Sequence, residues 1–339
     1  MSRSSRTGRL LQRGLASSKP GNLEAIVLER DPVRQLALYS RNPLDLSWHR
    51  DSVITPNATA SGCLIQSNFG ETLNTPGNFE AVVVEGKNLV HYTRASHSPT
   101  SLWQRMDLIS TNCLGPASLI QARFVGNPIG NPGHFHVVVL EDNEPEGKQL
   151  VLYTRDNRKL DRLWNRDAII TTRATGPGSF IQNNTIGIPG ATGNFELVVL
   201  EGNHLVHYWR DNRSIGNPWH RGEIISSNAT GNGPGTIVQS YFGPQEDGSL
   251  QVVVLEGPDL VHYCCDRSRN WQKGAVISTR ATGPGSITET VADGTRVSSG
   301  TFEVIVVEDH NTLAHYSRNN SHPGNSWIRN EAVSISALG

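Results

Sequence analysis

Short apolar runs punctuate the chain at long, regular intervals, and several show no alternation: Val82–Val84, Val137–Leu140 and Val252–Leu255. Such a run, with no polar residue at every second position, predicts a strand covered on both faces. Across a turn-sized gap each is followed by a second run, as in Leu89–Tyr92, Leu205–Tyr208 and Leu260–Tyr263. A tryptophan then opens a more polar third segment, and a short segment such as Leu64–Gln66 or Leu119–Gln121 precedes the whole. Gly193–Ile225 holds the last three segments in their least altered form.

The pattern recurs. Copies begin at Gly21, Gly77, Gly133, Gly193, Gly248 and Gly300, spaced 56, 56, 60, 55 and 52 residues apart. The longest interval accommodates an insertion at Asn143–Gly147, a hairpin tip where extra length costs little. Turns such as Ala174-Thr-Gly-Pro-Gly178 and Ala281-Thr-Gly-Pro-Gly285 punctuate strands, not helices. Six units of four short strands predict an all-β fold, a six-bladed β-propeller with four antiparallel strands per blade. The valine-rich strand suits the second place in a blade, between neighbouring blades, which leaves the Leu-Ile-Gln strand innermost.

On that order residues 1–7 are a loose end and 8–339 one propeller, with blades at about 8–55, 62–111, 117–172, 178–227, 235–279 and 285–337. Shifted by one strand, the N-terminal segment would instead complete the last blade.

Composition agrees with this reading: 33 Gly and 18 Pro supply turns, and two Met give little to long helices. A net charge of −1 offers no global field for nucleic acid or an anionic membrane. No apolar run approaches the roughly 20 residues of a membrane span, and the charged start has no apolar core behind it. The expected location is cytoplasmic, or outside the cell by release without a signal peptide. Cys63, Cys113, Cys264 and Cys265 occupy non-equivalent repeat positions and read as reduced thiols. The 12 histidines form no ligand-spaced cluster and no calcium loop appears, so no metal or cofactor is expected.

Several polar and aromatic positions recur. A glutamate ends the second strand at Glu29, Glu85, Glu141, Glu201, Glu256 and Glu308. The third strand carries Tyr39, Tyr92, Tyr153, Tyr208, Tyr263 and Tyr316, preceded by His91, His207, His262 and His315 in four units. Arg41, Arg94, Arg155, Arg210 and Arg318 follow, with Cys265 in the fifth unit. Trp48, Trp103, Trp164, Trp219, Trp271 and Trp327 each precede a basic residue by two places. Repetition alone preserves whatever packs blade on blade, and these residues could do that and nothing more. As a binding set they combine aromatic faces for sugar C–H surfaces with donors and acceptors for hydroxyls. Repeated weak sites gain avidity together, by about 10²–10⁴.

The six-unit pattern resembles the propeller lectins of the tectonin and tachylectin-like group, and within it the fungal six-bladed lectins that bind terminal N-acetylglucosamine. The resemblance covers Gly8 to Ile335. It implies a multivalent agglutinin for glycans and glycoproteins, with N-acetylglucosamine as the sugar and fucose or others as alternatives. It further implies that binding residues come from equivalent positions at or between blades. Units with the full set supply His91, Arg94 and Trp103; His207, Arg210 and Trp219; and His315, Arg318 and Trp327. Glu85, Glu141, Arg155, Trp164, Glu201, Glu256, His262, Trp271 and Glu308 complete the candidates.

Two other classes compete. A glycosidase needs two carboxylates in one centre, whereas the prominent ones here recur in every unit. Asp107, Asp167 and Glu223 show no paired spacing. No nucleophile elbow or phosphate loop is present, so no catalytic residue is assigned. A non-catalytic protein-binding propeller is the alternative, although the Gly-His and Trp-Asp signature of WD repeats is missing.

Overall fold

The computed structural model describes residues 10–12, 23–29, 34–42, 45–69, 77–96, 98, 100–122, 133–159, 161, 163–183, 193–212, 216–231, 233, 235–240, 249–266, 269–290, 300–320 and 324–334. The expected loose end at 1–7 lies outside them, as do 335–339. Every regular element among the described residues is a β-strand.

Six four-stranded sheets follow one another along the chain. The first is β1 (Leu10–Gln12), β2 (Leu23–Glu29), β3 (Gln35–Arg41) and β4 (Trp48–Thr55). The second is β5 (Cys63–Gln66), β6 (Phe79–Glu85), β7 (Asn88–Arg94) and β8 (Gln104–Ser110). The third is β9 (Ser118–Ala122), β10 (His134–Asn143), β11 (Gly147–Arg155) and β12 (Trp164–Thr171). The fourth is β13 (Gly178–Gln182), β14 (Phe195–Glu201), β15 (His204–Arg210) and β16 (His220–Ser226). The fifth is β17 (Thr236–Ser240), β18 (Ser249–Glu256), β19 (Asp259–Cys265) and β20 (Trp271–Ser278). The sixth is β21 (Ser286–Thr290), β22 (Thr301–Glu308), β23 (Thr312–Asn319) and β24 (Ile328–Arg329).

In each sheet the spatial order is the chain order and all pairing is antiparallel, so every blade is an up-and-down meander of consecutive strands. The six first strands touch one another around the centre, β1 meeting both β5 and β21, which closes the ring.

The buried surface lies between blades. Six apolar clusters each combine one wall of a blade with the facing wall of the next; the sixth joins Ile305 and Val307 of β22 to Ala25 and Val27 of β2. The valine-rich second strands are buried on both faces, as their lack of alternation requires. The fourth strands are exposed over most of their length, where charged residues such as Arg105 and Asp107 discourage edge pairing. In five of the blades the third and fourth strands carry a bulge, which lets an extra residue on the outer strand re-aim toward a neighbour.

The connections stitch neighbours together. Cys113 N–H donates to Lys87 O in the second blade, and Leu114 N–H to Leu140 O in the third, both at 2.9 Å. Ala229 and Thr230 repeat the arrangement onto Asn203 and Leu255, and Ala281 and Thr282 onto Pro258 and Val307. At Gly235 the backbone has φ +79° and an added Cβ would lie 1.7 Å from Val253 O, so glycine alone fits.

Candidate functional site

Successive side chains on a strand point to opposite faces, so each blade presents two unlike walls. In the second blade the ladder aligns Phe79 with Arg94 and Ala81 with Tyr92 on one wall, and Glu80 with Thr93 and Val82 with His91 on the other. The first wall meets blade one; the second meets blade three. A junction is therefore asymmetric. The leading blade supplies carboxylates and, at most junctions, a histidine (Leu38 stands in its place in blade one), and the following blade supplies an aromatic or aliphatic anchor, arginine and tryptophan.

Between blades two and three, Arg155 donates to His91 Nδ1 at 3.0 Å and to Asp107 Oδ2 at 3.3 Å. His91 thus accepts at Nδ1 and donates from Nε2 to Glu80 at 2.9 Å. The guanidinium lies over Phe135 and Trp164, 5.6 and 6.0 Å from their centroids. Between blades one and two, Arg94 donates to Ser52 Oγ at 2.7 Å and Asp51 Oδ2 at 2.8 Å, and Trp103 Nε1 to the same hydroxyl at 3.2 Å. Between three and four, Arg210 approaches Asp167 at 3.8 Å, and Thr154 bonds both Asp167 and His136. Between six and one, Arg41 lies 3.9 Å from Glu303, which holds His315 at 2.7 Å.

The arginines are largely enclosed, whereas Asp107 and Asp167 remain 45 % exposed and form the mouth of the cleft. The six tryptophans are half-buried. In five of them, Trp48, Trp164, Trp219, Trp271 and Trp327, the indole N–H has no acceptor among the described residues. Such a cleft offers an aromatic face, planar donors and a carboxylate acceptor within one small volume.

Two junctions depart from this set. Between blades four and five the arginine is replaced by Cys265, facing Glu196, His207 and Trp271. Burial, with nearby carboxylates including Glu196 and Glu223, pushes that thiol up to about 12. Between blades five and six Arg318 is kept, but blade five has Gln251 in place of the buried glutamate, bonded to His262 at 2.8 Å.

The glutamates ending the second strands lie elsewhere. Glu85 pairs with Asn88 at the hairpin end of the ladder and Arg94 with Phe79 at the other, six residues or roughly 20 Å away. There each glutamate gathers the tyrosine and basic residue of its own blade: Tyr153 and Arg166 on Glu141, Tyr208 and Arg221 on Glu201, Tyr263 and Lys273 on Glu256, Tyr316 and Arg329 on Glu308. The preceding blade adds a hydroxyl, Thr55 on Glu85 and Ser110 on Glu141. Burial would raise Glu201, Glu256 and Glu308, but these donors outweigh it and hold all three below the ordinary carboxylate value.

The expected unit-by-unit grouping is thus rearranged. His91, three residues before Arg94 and so on the opposite face, meets Arg155 and Trp164 of the next blade. His207 likewise meets Trp271, His262 meets Trp327, and His315 meets Trp48. Arg94 with Trp103, Arg210 with Trp219, and Arg318 with Trp327 do stay together. Sequence reasoning missed the polar residue after the phenylalanine near the start of the second strand, Glu80, His136, Glu196 and Glu303, with Glu24 and Gln251 following a leucine in the first and fifth units. Its signal was a polar residue repeated inside an otherwise apolar strand. It also gave Asp107 and Asp167 no binding role, because their partners Arg155 and Arg210 lie a full blade away.

Fold and clefts together define a six-bladed propeller with repeated, inter-blade polar sites. No protein-family model and no curated protein matches the chain. Among solved structures it is similar to AofleA from Arthrobotrys oligospora, with a TM-score of 0.67 at 12 % identity over 99 % of this chain and 88 % of that one. It is also similar to Aleuria aurantia lectin in complex with α-methyl-L-fucoside, with a TM-score of 0.63 at 13 % identity over 98 % of both chains. A putative 6-phosphogluconolactonase from Bacteroides uniformis shares the fold more distantly, with a TM-score of 0.51 at 9 % identity over 94 % of this chain and 84 % of that one. These likenesses overturn the resemblance to N-acetylglucosamine-binding tectonin and tachylectin-like propellers. The physical reason is that valine-rich second strands and hairpin turns are what any four-stranded blade needs. They carry no information about the sugar.

Proposed function

We propose that this chain is a non-catalytic, multivalent carbohydrate-binding protein whose saccharide sites are the inter-blade clefts. The observation that carries the reading is the repeated arginine–tryptophan pair with a carboxylate from the preceding blade, most complete at Arg155, Trp164 and Asp107. Fucose is the sugar adopted, in place of N-acetylglucosamine, because the Aleuria lectin of like fold holds a fucoside. The partners are then fucosylated glycans and glycoproteins.

For the glutamates that end the second strands, the acid role in a hydrolase is disfavoured by charge. A glycosidase needs one carboxylic acid held protonated, with its pKa raised. Here Glu29, Glu201, Glu256 and Glu308 are all held below the ordinary value, against the pull of burial, by arginine, lysine and hydroxyl donors.

Four junctions pair arginine with a carboxylate: Arg41 with Glu303, Arg94 with Asp51, Arg155 with Asp107 and Arg210 with Asp167. Titration with methyl α-L-fucoside should therefore give about four sites per chain. Arg210→Ala combined with Trp219→Ala should remove one of them while circular dichroism stays that of the intact ring. No binding to any sugar on a broad glycan array by folded protein would end the lectin reading. Binding with unchanged stoichiometry in the double variant would return those two residues to a structural role.

A further inference from the structure

Each junction arginine can be asked what balances its charge. Arg94, Arg155 and Arg210 each have an aspartate from the bulge of the preceding outer strand, and Arg41 has the buried Glu303. Arg318 has neither. In blade five the buried position is Gln251, and the two bulge residues, between Lys273 opposite Tyr263 and Val276 opposite Val261, are Gly274 and Ala275. Both carboxylates have been lost from the wall facing this arginine, while the arginine remains.

The geometry of what remains is that of a prepared fork. The Arg318 guanidinium lies over Phe302 and Trp327, 5.0 and 5.1 Å from their centroids, which fixes its plane. Its Nε donates to Asn320 Oδ1 at 3.2 Å, and its two terminal nitrogens have no partner among the described residues. The Trp327 indole N–H is likewise without an acceptor. Gly274 leaves the wall low beside His262, since a Cβ there would come within 3.1 Å of the imidazole Nδ1. A half-buried cation whose coplanar terminal donors meet neither a partner nor a counter-charge among the described residues recognises a carboxylate or sulfate in two-pronged fashion.

We infer that the junction between blades five and six takes an acidic saccharide, with its carboxylate or sulfate on the terminal nitrogens of Arg318 and its ring against Trp327. This rests on the reading of the junctions as saccharide clefts and gives one of them a different specificity. The neighbourhood suits it: burial, with Arg318 nearby, drives His262 down to about 3, so that imidazole is neutral and adds no competing charge. Burial also lowers Arg318 from its ordinary value, a cost that a bound anion offsets.

The test is calorimetric titration of the full chain at fixed, moderate salt with four probes: methyl β-D-glucuronide, a 6-sulfated glucoside, neutral methyl β-D-glucoside and inorganic sulfate. The expected result is one site per chain for an acidic saccharide, at least roughly tenfold tighter than for the neutral glucoside. The glucuronide and sulfated arms decide which anion is preferred. Arg318→Gln should abolish that site. Ala275→Asp, which restores a carboxylate at the position Asp107 holds in blade two, should close it by internal pairing and leave the methyl α-L-fucoside isotherm of the other junctions unchanged. Equal affinity for acidic and neutral glucosides, acidic binding that survives Arg318→Gln, or inorganic sulfate binding as tightly as the saccharides would each overturn the inference. Fucoside binding without the acidic site sinks this inference alone. An Arg318-dependent acidic site without fucoside binding sinks the choice of fucose and leaves this one standing.

Discussion

Tyr39 and Tyr153 each donate a hydroxyl to a buried glutamate, and burial together with that carboxylate pushes both up to about 12. An exposed phenol ionises near 10, so between pH 10 and about 12 the unfolded chain has given up protons that the ring retains. The stability these two phenols contribute is full below pH 10 and falls through that window. The acid side has the opposite sign. His262, driven by burial to about 3, stays neutral while its unfolded counterpart protonates below about 6.5, so stability erodes from there downward. Glu29, Glu201, Glu256 and Glu308, held below 4.5, add a second loss as pH falls further. The buried thiols open the alkaline loss earlier, since Cys113 and Cys265 are pushed up from 9.0 to about 11 and about 12, so urea midpoints measured across pH should show a plateau between about 6.5 and 9 with a decline on both sides. His262→Gln should reduce the slope between 6.5 and 4.5; an unchanged slope would mean the imidazole is not the group responsible.

At the scale of the strand, two rules decide where the chemistry goes: alternation and the bulge. Alternation was legible from the start, since His91 and Arg94 are an odd number of positions apart on one strand and must face different neighbours. The bulge was not. Nothing local in the sequence marks Asp107 or Asp167 as reaching the next blade, because the pairing is made by tertiary stacking of walls 48 and 43 residues apart in the chain. The strand order and blade count were legible for a simple reason: unalternated valine runs and turn residues repeat faithfully, and burial on both faces leaves such runs few alternatives. Turn chemistry gives a test at this scale. Gly235→Ala, with positive φ and a carbonyl 1.7 Å from the new methyl, should lower stability by roughly 2 kcal/mol or more in denaturant melts. Gly86→Ala, with positive φ but open space around it, should cost less, about 1 kcal/mol.

For the whole molecule, the ring is held by side chains between blades, the first blade closing on the sixth through the same kind of cluster as any other pair. Phe195 is fully enclosed between Phe180, His136 and Trp219 at one such junction. Phe195→Ala should cost about 3–5 kcal/mol in urea unfolding. The same truncation removes the ring on which Arg210 lies, 4.8 Å from its centroid, so the cleft between blades three and four should also weaken for sugar.

The two irregular clefts are adjacent, and they share one blade. Blade five has lost the arginine from the wall it turns toward blade four, where Cys265 stands, and both carboxylates from the wall it turns toward blade six, where Gln251 and Ala275 stand. Its neighbours kept their halves: Glu196 and Glu223 on one side, Arg318 on the other. Lifted out, blade five would leave a carboxylate-bearing wall next to an arginine-bearing one, the ordinary complement. What look like two degenerate sites are the two sides of a single divergent repeat, and the residues of that one blade account for both.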